Sequence, residues 1–179
     1  GTALSQKGAL LFVQLAHIMN QKYPQNNFVF KWVGNHSVMQ HELEQNILDA
    51  GLNGKVIFTG EKEDPFEEYV DFDFFISLSR EESFGLACME AAALGVPIGG
   101  FAGTGGIEAL LQKSGGLIAP YLDLEKMAEL LFEISKQPDQ LTEMARRVQA
   151  FSSEFLPEKI IPEWINCLNK CMPERIRTT

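Results

Sequence analysis

The chain has 179 residues and carries 24 Asp+Glu against 15 Lys+Arg, a formal net charge of −9. That length suits one domain with a real core. The acidity argues against a broad basic face for reading nucleic-acid phosphates, and no apolar run nears the roughly 18 to 20 residues that span a bilayer.

Residues 1–7 are short and polar, and Lys7-Gly8 leads into a helical pattern. Leu10, Leu11, Val13, Leu15, Ala16, Ile18 and Met19 give that helix a broad apolar face, stopped at Tyr23-Pro24. Residues 28–33 read as a strand ended by Gly34-Asn35. Met39, Leu43, Ile47 and Leu48 mark a second helix, with Gly51 just beyond it as a C′ residue. Val56, Ile57 and Phe58 form a buried strand that Thr59-Gly60 ends. An acidic loop, 61–64, precedes Pro65 and one helical turn over 66–70. A strand over 74–78 follows, then the turn 79–85 and a helix over 85–94. Residues 95–101 give a helix stop and a short strand, 102–106 a glycine-rich loop, 107–111 a short helix and 115–120 a final strand. From there the pattern is helical. Asp123 is placed to cap a helix over 124–135 and Asp139 one over 141–150. Ile161, Trp164, Ile165 and Leu168 give a face to a last helix, within 155–172.

Strands alternate with helices, which predicts an α/β fold with a parallel sheet. The count is about six strands, five from Phe28 onward and a sixth ending near Gly1. The strands are apolar without alternation, as expected for a sheet covered by helices on both faces. The abrupt opening at Gly1 is read as that of a fragment. Cys88, Cys167 and Cys171 form no CxxC pair, and Cys167 and Cys171 lack a nearby third and fourth ligand. They are read as packing residues in a reducing, cytoplasmic setting rather than as a metal site.

In an open parallel sheet ligands bind at the carboxyl ends of the strands. Three loops lie there: residues 1–8 with Lys7, residues 79–85, and residues 102–106. Lys7 stands at a helix start, where an ammonium beside free N–H groups suits a phosphate; the plain alternative is a solvated lysine. Gly85 lets a ligand approach the backbone, so the N–H groups of Gly85 and Leu86 can face an anion; the alternative is a glycine that only makes the turn. Glu82 and Glu90 repel phosphates, so their place near an anion site points to hydroxyls, which a two-oxygen acceptor suits. Glu90 lies about a turn and a half into the helix, roughly 7 Å along its axis, the span from a diphosphate to a nucleoside sugar. Two surface glutamates remain the bland reading. Phe84 can wall a sugar site or join the core. The loop 102–106 adds N–H groups but is neither a GxxxxGK[ST] nor a clean GxGxxG motif. His17, His36 and His41 carry no ligand spacing.

The run Glu82-Ser83-Phe84-Gly85-Leu86-Ala87-Cys88-Met89-Glu90-Ala91 resembles the E-x7-E signature of retaining glycosyltransferases of family 4 (group 1). Lys7-Gly8, the strands ending at Gly34 and Gly60, Gly95-Val96-Pro97 and Gly105-Gly106 match further motifs of that family in order. The resemblance implies the C-terminal, donor-binding half of a GT-B fold, a Rossmann-like domain. The whole chain, 1–179, would be one nucleotide-sugar-binding domain, with 155–172 packing toward an absent N-terminal acceptor domain. The implied activity is transfer of a hexosyl unit from a nucleoside diphosphate sugar to a hydroxyl acceptor, in polysaccharide biosynthesis and with room for an acceptor at the inner face of a membrane. Glu82 would contact the donor sugar, Glu90 the ribose, and Lys7 the diphosphate, helped by Ser83, Phe84, Gly85 and Leu86. Gly60 and Glu61 would face the base. No metal or other cofactor is implied, because a cation and a helix terminus stabilise the leaving group. Members often carry an arginine where this chain has Thr2, which brings a hydroxyl but no charge, so either Lys7 acts alone or another cation assists; Arg80 is a candidate, its plain alternative being a solvated loop arginine. Two further readings stay open: a GT-B nucleotide-sugar epimerase, and a degenerate nucleotide-binding module without activity.

Overall fold

The computed structural model describes residues 1–171; residues 172–179, including Met172 at the end of the expected last helix, lie outside the described residues. Helices and strands alternate as expected. They are α1 (Ala9–Lys22), β1 (Phe30–Val33), α2 (Gln40–Asp49), β2 (Val56–Gly60), α3 (Phe66–Tyr69), β3 (Phe75–Ser77) and α4 (Leu86–Ala93). After these come β4 (Ile98–Phe101), α5 (Gly106–Ser114), β5 (Leu117–Ala119), α6 (Leu124–Ser135), α7 (Pro138–Ser152), a 3-10 turn (Ser153–Phe155) and α8 (Pro157–Cys171).

All pairings between named strands are parallel. β1 pairs with β2, Phe30 opposite Val56, and β4 lies between β3 and β5, with Gly99 opposite both Ile76 and Leu117. The expected sixth strand is not formed among the described residues. Instead residues 1–4 have no regular structure and residues 5–8 form a turn, and together they link the two sheets. The Gly1 amine donates to the Val33 carbonyl at 2.7 Å, and the Ala3 N–H to the Asn35 carbonyl at 2.6 Å. On the other side the Arg80 N–H donates to the Gln6 carbonyl at 2.8 Å. Ala3 is fully buried, so this link is part of the core.

Two apolar clusters cover the strands. α1 and α6 pack together over β1, β2 and one side of the other sheet, contributing Phe12, Leu15, Met19, Met127 and Leu131. α4, α5 and α7 form the second cluster, with Met89, Ile107, Leu111, Met144 and Val148. Along β4, Phe101 joins the first cluster and Ile98 the second. Residues three apart on a strand face opposite ways, and every residue of β4 is buried. This is the helix-covered central strand that unalternating apolar runs foretell. Asp123 caps α6 as expected, accepting from the Lys126 N–H at 2.8 Å. Asp139 does not cap α7. Pro138 takes the first helical position, where its fixed φ and missing N–H fit, and so Asp139 falls inside the first turn.

Gly8 explains how the link meets the sheet. Its φ is +78°, and a Cβ there would lie 2.1 Å from the Leu78 carbonyl oxygen. Gly54 has almost the same φ, +77°, with nothing within 4 Å of a Cβ. Gly54→Ala should therefore cost only the left-handed penalty, about 1–2 kcal/mol. Gly8→Ala should cost a further 1–3 kcal/mol or so for the backbone collision. Urea unfolding measures both, and equal losses would contradict the close passage of Gly8 against Leu78.

Candidate functional site

The site is assembled from loops that follow β3 and β4 and from the link before α1. Loop 79–85 is stitched to loop 102–106 by backbone alone. The Glu82 N–H donates to the Thr104 carbonyl at 2.7 Å, and the Gly106 N–H donates to the Glu82 carbonyl at 3.0 Å. A Cβ on Gly106 would sit 1.9 Å from the Ser83 oxygen, and one on Gly105 2.7 Å from the Glu82 oxygen. Only glycines let these two strands' ends close so tightly. The Gly106 N–H is thus committed to Glu82, and the Gly103 N–H donates to the Glu108 carboxylate at 2.8 Å. Loop 102–106 supports its neighbour, and its glycines serve that contact.

The link brings Lys7 to the same place. Its Nζ donates to Glu82 Oε2 at 2.6 Å, and the Ser79 hydroxyl reaches the same oxygen at 3.3 Å. The Glu82 side chain is 15% exposed and that of Lys7 42%. One end of the carboxylate is thus anchored under cover while the ammonium stays open to solvent. Gly85 then turns the chain into α4 with φ +78°. Among the described residues the N–H groups of Gly85, Leu86 and Ala87 have no acceptor, as expected of a helix start. Leu86 is strongly exposed there. Phe84 lies against Phe155 of the 3-10 turn, with 5.7 Å between ring centres, and is 38% exposed.

Glu90 projects from the second turn of α4 and is held differently. The Tyr69 hydroxyl donates to its Oε2 at 3.0 Å. Burial, and then the neighbouring carboxylate, push the Tyr69 hydroxyl well above its usual pKa, so it remains a proton donor. Gly60 ends β2 at φ +79° and accepts from the Gly34 N–H at 2.9 Å. Thr2, Glu61 and Ser83 are exposed and make no side-chain hydrogen bond or ion pair among the described residues. The structure thus joins Lys7, Ser79 and Glu82 directly, with Gly85 beside them at the start of α4. It leaves Glu90, Gly60, Glu61 and Thr2 outside that hydrogen-bonded group. No group of three His, Cys, Asp or Glu suited to a metal occurs among the described residues.

A family profile described as Glycosyl transferases group 1 matches residues 1–137, three quarters of the chain. The chain belongs to this family. A lipopolysaccharide core biosynthesis mannosyltransferase of Rhizobium meliloti is 32% identical over 72% of the chain and 38% of its own length. An uncharacterized glycosyltransferase of Haemophilus influenzae is 27% identical over 92% of the chain and 46% of its length. The chain therefore spans less than half of these curated relatives. Among solved structures, Anabaena HepE in complex with UDP superposes with a TM-score of 0.84 at 22% identity, over 95% of the chain and 47% of that protein. The C-terminal domain of a Francisella tularensis group 1 glycosyl transferase gives 0.73 at 22% identity, over 86% of the chain and 81% of that domain. The fold of this group 1 chain is thus the one seen in C-terminal domains of GT-B glycosyltransferases, and its five parallel strands fit it.

Sequence reasoning missed Tyr69 and Ser79. Tyr69 stood in a stretch read only as one helical turn. A tyrosine at a buried position needs a partner for its hydroxyl, which was the available signal. Cys88 lies one residue from Met89 on the buried face of α4. Burial first, and then the Glu82 carboxylate, push its thiol up to about 12, against a hydrogen bond from Ser77 that works the other way. Cys167 and Cys171 are exposed on α8. At pH 8 the reduced native chain should show two fast-reacting thiols to a disulfide reagent and a third only in denaturant, since the thiolate is the nucleophile. Three fast thiols in the native state would mean that α4 does not shield Cys88.

Proposed function

We propose that this chain is the nucleotide-sugar-binding half of a retaining glycosyltransferase that moves a hexosyl unit to a hydroxyl acceptor. The observation that carries the reading is the Lys7–Glu82 pair at the mouth of α4. An ammonium and a run of open N–H groups there meet the charge of a diphosphate leaving group without a metal. Lys7 has three N–H donors, so it can serve a phosphate oxygen and still hold Glu82. Glu82 then offers its remaining acceptor capacity to the hydroxyls of the transferred sugar. Glu90, further along α4, takes the ribose hydroxyls. Gly60 and Glu61, at the carboxyl end of β2, face the base. Thr2 adds a hydroxyl near the diphosphate, and Ser83, Phe84 and Leu86 line the approach.

The acceptor side belongs to a second domain of the same enzyme. α8 supports this: Ile161, Trp164, Ile165 and Leu168 lie on one face of it and each is more than half exposed. Such a face is the kind that packs on another domain. The 179-residue chain alone should bind nucleotide and transfer no sugar.

Calorimetric titration with UDP and with GDP tests the reading. At least one should bind with Kd below about 1 mM. Hydrogen bonds to charged groups contribute about 1.5–3 kcal/mol, so Lys7→Ala and Glu90→Ala should each weaken binding roughly ten- to a hundredfold. Failure of both nucleotides at millimolar concentration would favour the degenerate, non-catalytic reading. Sugar transfer by the isolated chain would sink the two-half account.

A further inference from the structure

The short helix α3 has an arrangement that the assigned roles do not use. It has four residues, too few to hold itself in water, yet it is tied at three points. Glu68 Oε2 accepts from Lys31 on β1 at 3.1 Å, and Oε1 pairs with Lys62 of the loop after β2 at 3.1 Å. Lys31 also lies 3.6 Å from Asp71 and over the Phe72 ring at 5.7 Å. The third tie is Tyr69 itself. Its ring is 7% exposed and is set among Phe66, Phe72 and Phe75, with centroids 6.1, 5.8 and 5.9 Å away. Its hydroxyl has one proton. The carboxylate of Glu90 at 3.0 Å takes it, in preference to the Ala87 carbonyl at 3.4 Å. Glu90 Oε1 accepts no hydrogen bond among the described residues.

We infer that Tyr69 is a positioning residue for nucleotide binding: it fixes one oxygen of Glu90 so that the other is presented to the ribose, with Glu68 holding α3 in place for that task. The inference rests on the ribose role given to Glu90 above. A free glutamate must lose side-chain rotamer freedom when it grips a ligand, and a carboxylate tethered beforehand loses less. The tether is a neutral hydroxyl, which brings no compensating charge to the carboxylate. A lysine at that place would neutralise it, as Lys7 does for Glu82. Lys62 extends the unit, because it lies two residues beyond Gly60 in the loop assigned to the base. Base loop, α3 and ribose carboxylate are thereby joined into one connected group. A tyrosine whose hydroxyl was only being satisfied in the core would alter stability and would leave the recognition of ribose untouched.

The test separates these. UDP and 2′,3′-dideoxyuridine diphosphate are titrated calorimetrically against the 179-residue chain and against Tyr69→Phe and Glu68→Gln; if only GDP binds, GDP and its dideoxy form are used. Tyr69→Phe keeps the ring and removes the hydroxyl. In the unaltered chain, loss of both ribose hydroxyls should weaken binding at least tenfold. In Tyr69→Phe that ratio should fall to threefold or less, and in Glu68→Gln it should fall to an intermediate value. A general loss of folding or rigidity weakens both nucleotides alike and leaves the ratio standing. An unchanged ratio in Tyr69→Phe overturns the inference while the ribose role of Glu90 survives. A ratio near one in the unaltered chain overturns that role and the inference with it.

Discussion

The site depends on how closely two loop backbones approach. Glu82 is held through its N–H by Thr104 and through its carbonyl by Gly106, and the contact is possible because a Cβ on Gly106 would fall 1.9 Å from Ser83. Loops after neighbouring parallel strands have no hydrogen-bond partners of their own, and buried backbone groups must find some. Here each loop supplies the other. The same economy places the link before α1. Gly8 passes against the end of β3, which delivers Lys7 to the carboxylate that Gly106 has positioned. A side chain at either glycine would separate the ammonium from Glu82 without touching either of them.

The two carboxylates of the E-x7-E motif are anchored by groups of different charge. Glu82 meets an ammonium, and Glu90 a hydroxyl buried in an aromatic cluster. An ion pair between partly exposed groups adds little to stability, about 0–1 kcal/mol. The Lys7–Glu82 contact is therefore better understood as placing charge than as holding the fold together. The fold is held instead by the two apolar clusters on either side of β4, of which only the second meets a motif carboxylate, through the Tyr69 hydroxyl. Stability and site can in this way vary separately, although both share α4.

Much of this was legible beforehand. Element order follows from apolar periodicity and glycine stops, and the turn from β3 into α4 was recognisable from Gly85 and the two glutamates eight residues apart. Lys7 could be placed at a helix start because the apolar helical pattern opens just after Gly8. The remainder depends on contacts between residues distant in sequence. Tyr69 and Glu90 are 21 positions apart, and no local pattern joins them. Loop 102–106 was read as adding free N–H groups, but that of Gly106 is consumed by Glu82, a pairing that exists only once β3 and β4 lie side by side. Asp139 carried a real capping signal and lost it to Pro138, which starts α7 earlier on grounds of backbone geometry. The expected sixth strand became a link without regular pairing, though it still bridges the sheets.

α8 completes the account from the opposite direction. Its apolar residues at 161, 164, 165 and 168 follow the spacing of one helix face, yet none of its residues is buried. Scattered exposed apolar residues are ordinary, but a contiguous stripe on one helix points to a partner surface. Phe155, at the start of this tail, packs on Phe151 and also on Phe84 of the loop that carries Glu82. The tail is thus in contact with the site's own loop at one end and, among the described residues, exposes Ile161, Trp164, Ile165 and Leu168 along the rest. A domain seated on α8 would press on the same aromatic contact that flanks Glu82. On the proposed reading, the surface that recruits the acceptor half and the carboxylate that meets the transferred sugar are two ends of one packed connection.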